Sequence, residues 1–109
     1  MTDLVFSRDR NFVLTASVAN ATTTVFSSST NSITLLAAAN PSRVGAAIMN
    51  TADKPMYVKF GATATSSSHT VKILAGGYYE FPQPCYNGIV DAIWDATPTG
   101  SCSVTEVKA

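Results

Sequence analysis

The chain has 109 residues, of which 46% are hydrophobic and only 13% charged, a length suited to one domain with one thin core. Seven basic and seven acidic residues cancel to a formal net charge of zero, and Arg8 to Arg10 is too little for the basic patch or stripe of a nucleic-acid binder. No apolar run approaches the roughly 20 residues of a membrane-spanning helix, and Met1-Thr2-Asp3-Leu4 lacks the basic and then apolar stretches of a secretory signal.

From the N-terminus, residues 1–39 contain neither Gly nor Pro and are rich in Ser, Thr, Ala and Asn. Phe12, Leu14, Ala16 and Val18 alternate with period two and share one face of a strand. Residues 1–32 read either as an N-terminal arm or as accessory strands. Val5, Phe6, Phe12 and Phe26 supply apolar anchors that offset the backbone entropy of ordering such a segment, about 1–2 kcal/mol per residue.

Residues 33–109 read as the core of a single domain. Ile33, Leu35 and Ala37 alternate, and Asn40-Pro41 stops any helical turn in Leu35–Ala39. Met56, Val58 and Phe60 alternate with Tyr57 and Lys59, the cleanest strand pattern in the chain. Val71 and Ile73 continue it, with His69 on the same parity. In the stretch from Gly88 to Trp94, Ile89 and Ile93 flank Asp91 on one face, while Val90, Ala92 and Trp94 occupy the other. A strand apolar on both faces is covered on both, by a second sheet and then by a neighbouring subunit or a folded-over loop. Turn clusters at residues 40–42, 52–55, 61–68, 76–77, 82–88 and 98–100 separate these runs by the short intervals of a sandwich. The expectation is an all-β, antiparallel β-sandwich of eight to ten short strands, with the jelly roll as one form of it.

Chemistry-bearing residues are sparse. His69 is the only histidine and adjoins Ser66–Ser68, but loop neighbours do not make a catalytic relay. Asp91 and Asp95 bracket Trp94, a sugar-site pattern set against the plainer reading of a solvated strand edge or an interface ion pair. Cys85 and Cys102 are too few for a zinc site and read as small apolar thiols. Gly76-Gly77 reads as a tight turn without the strand–loop–helix context of a phosphate site. Tyr78 and Tyr79 place one ring on each face, one for the core and one for a partner. The residues point to no enzyme, no cofactor and no metal.

The run Leu35-Leu36-Ala37-Ala38-Ala39-Asn40-Pro41-Ser42-Arg43 leads into Gly45–Asn50. It is followed by Tyr57-Val58-Lys59-Phe60-Gly61, Val71-Lys72-Ile73 with Gly76-Gly77-Tyr78-Tyr79-Glu80, Gly88–Trp94 and a closing Val104-Thr105-Glu106. This order resembles small structural proteins of tailed bacteriophages over roughly residues 33–107. The resemblance implies a virion component made in the host bacterial cytoplasm, of the head decoration (cement) type. Its implied partners are the major capsid protein and further copies of itself, a homo-oligomer with a trimer favoured, and neither nucleic acid nor membrane. Neck, tail and fibre-anchoring proteins are the alternatives within the virion, and a carbohydrate-binding β-sandwich is the alternative outside it. Phe6, Phe12, Tyr57, Tyr78 and Trp94 are the expected protein contacts.

Overall fold

The computed structural model describes residues 20–39 and 42–109. Eight strands follow one another: β1 (Asn20–Ser27), β2 (Ile33–Leu36), β3 (Arg43–Asn50), β4 (Met56–Phe60), β5 (Val71–Ile73), β6 (Tyr78–Glu80), β7 (Val90–Trp94) and β8 (Ser101–Lys108). Their pairings are nested. β1 pairs with β8, β2 with β7, β3 with β6 and β4 with β5, all antiparallel. The two halves of the chain thus form one long ribbon with its bend between β4 and β5. Rolling that ribbon sets β3 against β8 and β4 against β7. Sheet A then has the order β1-β8-β3-β6 and sheet B the order β2-β7-β4-β5. This is the strand order of an eight-stranded jelly roll.

Strand alternation fills the space between the sheets. Ile48, Met56, Val58, Val90 and Ala92 are fully buried, with Val104, Trp94 and Ile73 close behind. Burying an aliphatic side chain of this size stabilises by roughly 1.5–3 kcal/mol, so these positions dominate the fold's stability. The parity read from Met56, Val58 and Phe60 and from Val71 and Ile73 holds, since all pack in or against the core. In β2 the register slips between Thr34 and Leu36. That irregularity turns two successive leucines, Leu35 and Leu36, into the core.

His69 lies in the loop just before β5, which begins at Val71, so its ring does not follow Val71 inward and it is the loop or strand-edge histidine its surroundings suggest. The ring is exposed and stands edge-on to Tyr57, with centroids 4.8 Å apart. Within the N-terminal segment, residues 20–27 form an edge strand of sheet A, as the accessory-strand reading has it. Residues 1–19, including Phe6, Phe12 and the Phe12–Val18 alternation, lie outside the described residues.

Both cysteines are free thiols. Burial of Cys102 pushes its thiol from 9.0 up to about 11, against a smaller lowering from the Phe26 backbone. The neutral thiol is therefore favoured by folding. Its contribution is complete below pH 9 and is lost as the pH rises toward 11. Urea unfolding at pH 8 and pH 10.5 is expected to show a drop on the order of 1–2 kcal/mol in wild type that Cys102→Ala lacks. Equal drops in the two proteins would remove Cys102 as the cause.

Candidate protein-contact surface

With every second side chain turned inward, the outer face of each sheet is set by the other half of the pattern. On sheet A the strands are in register across all four members. Val25 pairs with Ser103, Ser103 with Met49, and Met49 with Tyr78. Among the described residues four large apolar side chains are exposed, and three of them (Val25, Met49 and Tyr78) stand in this one row. The next row is Thr23, Thr105, Ala47 and Glu80, where Thr23 Oγ1 and Thr105 Oγ1 lie 2.9 Å apart. Ala21, Val107 and Gly45 form a third. Glu80, on the β6 edge, is the only charge in these rows. A flat face of small, hydroxylated and apolar groups binds water weakly and suits a protein partner.

Sheet B's outer face is different. Tyr57 pairs with Ile93 and with Lys72, and Lys59 pairs with Asp91. The segment 61–70 folds over it. Ala64 is fully buried and its N–H donates to Ser32 Oγ. Lys59 Nζ donates to Ser68 Oγ at 2.8 Å, and the His69 ring covers part of Tyr57. Asp91 is only 6% exposed and accepts a 2.8 Å hydrogen bond from Thr34 Oγ1. The second cover of β7 is therefore this loop, the folded-over alternative to a subunit. Between loop and sheet lies a cleft of about 330 Å³ lined by Thr30, Tyr57, Thr65, Ile93 and Asp95, among others.

Two buried polar residues lock the ends of β3, and pattern reading passed over both. At one end Arg43, 2% exposed, donates from Nε to Glu106 at 2.8 Å. Its Nη1 donates to Tyr86 O and Gly88 O, and its Nη2 to Ala37 O. At the other end Asn50 is fully buried. Its amide nitrogen donates to Lys54 O and Ile73 O, with Leu74 O also within reach, and its Oδ1 accepts from Ala52 N–H and Trp94 Nε1. A buried polar group is tolerated only when satisfied, and both of these are anchors of the fold. The one sequence signal for them is a polar residue at each end of an apolar run.

The expected contact residues separate accordingly. Tyr78 is 59% exposed on the row described above, while Tyr79 packs on the core near Phe81, as the alternation predicts. Tyr57 is half-buried beneath His69 and beside Lys72 Nζ, which lies 5.7 Å from its ring centroid. Trp94 is a correction: at 3% exposure, with its indole N–H donating to Asn50, it belongs to the core and offers a partner almost no surface. Phe6 and Phe12 lie outside the described residues. Asp91 and Trp94 point to opposite faces of β7, so Trp94 is not a platform beside that acid.

Comparison with known proteins finds no matching family model, no matching curated protein and no matching solved structure.

Proposed function

We propose that this chain is a structural protein of a tailed-phage virion, of the capsid-decoration type, and that it docks on the major capsid protein through the outer face of sheet A. The observation that carries the reading is the in-register row of Val25, Met49 and Tyr78 on a face whose rows hold a single charge. The low charge content of the whole chain and the resemblance of residues 33–107 support it, and a jelly roll serves viral capsid proteins elsewhere by fold analogy alone. The mechanism is mechanical: apolar area spread over junctions between capsid subunits adds contacts that expansion or internal pressure must break. A sugar-binding reading draws less support, since Trp94 and Tyr79, two of its stacking platforms, face the interior.

Copy number decides between stations in the particle. Quantitative mass spectrometry of purified particles is expected to give a simple fraction of the major capsid protein. Roughly a dozen copies, the count a ring-shaped assembly imposes, would move the protein to the neck or tail, and its absence would end the virion reading. Met49→Lys puts a charge in the centre of the row without touching the core. It is expected to lower occupancy of decoration-free shells at least about tenfold while leaving the melting temperature within a few degrees.

A further inference from the structure

β1 is the outermost strand of sheet A, and among the described residues no strand pairs with its far edge. The ladder settles which groups face that edge. Ser28 N–H donates to Gly100 O at 3.0 Å, so the even-numbered residues before it turn their backbone groups toward β8. Thr51 N–H donates to Ser101 O, which gives the odd residues of β8 to β3 and leaves the even ones for β1, in the same phase. The N–H and C=O groups of Ala21, Thr23, Val25 and Ser27 therefore point away from the sheet.

Exposed edges in natural proteins are blunted by charge, proline, bulges or brevity. β1 uses none of these. It spans eight residues, Asn-Ala-Thr-Thr-Thr-Val-Phe-Ser, without charge or proline, and its register with β8 runs unbroken from Asn20 to Ser27. Every side chain on it except Phe26 is exposed, so sheet A projects past the cover of sheet B here.

We propose that this edge is a self-recognition surface: β1 of a second copy pairs with it antiparallel, joining two copies of sheet A into one eight-stranded sheet across a two-fold axis. Such a pairing is self-complementary, because the same outward N–H and C=O groups serve both copies. An uncharged strand meets its own copy without like charges in opposition, and Thr22–Thr24 at its middle suit cross-strand threonine pairs. A trimer, as the resemblance implies, would need another surface. The proposal is independent of the virion reading, since it concerns the purified chain.

The test combines light scattering with site-resolved amide hydrogen exchange on the full chain. Wild type is expected at twice the chain mass, with the Thr23 and Val25 amides protected and that protection lost on dilution. Thr23→Pro removes an outward N–H and is expected to weaken the dimer at least about tenfold while keeping the thermal transition, as edge prolines are tolerated there. Thr24→Pro breaks the ladder to β8 instead and is expected to lower the transition itself. A monomer at every concentration, whether the Thr23 and Val25 amides are free or protected, overturns the proposal. So does an oligomer in which those amides exchange freely. If Thr23→Pro does not fold, the concentration dependence of the wild-type amides decides alone.

Discussion

Replacing Arg43 by methionine is expected to destabilise the protein by about 3–5 kcal/mol. The guanidinium ties β3 to three carbonyls on two other segments, Ala37 after β2 and Tyr86 and Gly88 before β7, and to Glu106 on β8. Methionine fills most of the volume but leaves those carbonyls without this donor and the mostly buried Glu106 carboxylate with only Lys108 Nζ, 3.8 Å from its Oε1. Each stranded group costs about 1–3 kcal/mol, and partial hydration of Glu106, 18% exposed, limits the total. Arg43→Lys recovers little, because one ammonium cannot span a carboxylate and carbonyls held in a planar fork. Thermal unfolding by circular dichroism checks both, with a fall in midpoint on the order of 15 °C for the methionine variant. Glu106→Gln keeps an acceptor for Nε and should cost far less. Equal losses for Glu106→Gln and Arg43→Met would place the energy in the ion pair and not in the carbonyl network.

Asn50→Ala is expected to cost about 3 kcal/mol and to be visible in the fluorescence of the only tryptophan. Asn50 is the point at which sheet A reaches sheet B. From the end of β3 it donates to Ile73 O on β5 and accepts from Trp94 Nε1 on β7. Removing it strands the indole N–H in the core, so Trp94 emission should shift to the red as water enters to replace the amide. Asn50→Asp keeps the acceptor but turns a carboxylate toward the carbonyls of Lys54 and Ile73, and should be at least as damaging at neutral pH. A double-mutant cycle with Trp94→Phe isolates the indole bond. Additive losses would show that it contributes nothing beyond packing.

Gly76 carries a smaller part of the same corner. It sits at φ +78°, and its N–H donates to Asn50 O at 2.8 Å. The Gly76-Gly77 reading as a tight turn was legible because only glycine takes that backbone region cheaply. The Tyr78/Tyr79 split was legible for the same kind of local reason, since alternation along a strand sends successive rings to opposite faces. Trp94 is grouped with Val90 and Ala92 on one face of β7 by the same alternation. Its use as a contact did not follow, because parity names a face and not what covers it.

The sequence by itself determined the strand character of the chain, the shared faces of Met56 with Val58 and Phe60, of Val71 with Ile73 and of Val90 with Ala92 and Trp94, and the glycine turn. Each depends on residues two or three apart, where side-chain alternation and backbone sterics act directly. The tertiary structure alone decided the nested pairing of β1 with β8 and β2 with β7, since partners such as Thr23 and Thr105, 82 residues apart, or Thr34 and Asp91, 57 apart, leave no periodic mark in either strand. It also decided that Arg43 and Asn50 are buried, that segment 61–70 roofs sheet B, and that Val25, Met49 and Tyr78 meet in one row. Burial of a polar group and continuity of an apolar row both depend on what lies across the sheet, and that is fixed only when distant strands come into register.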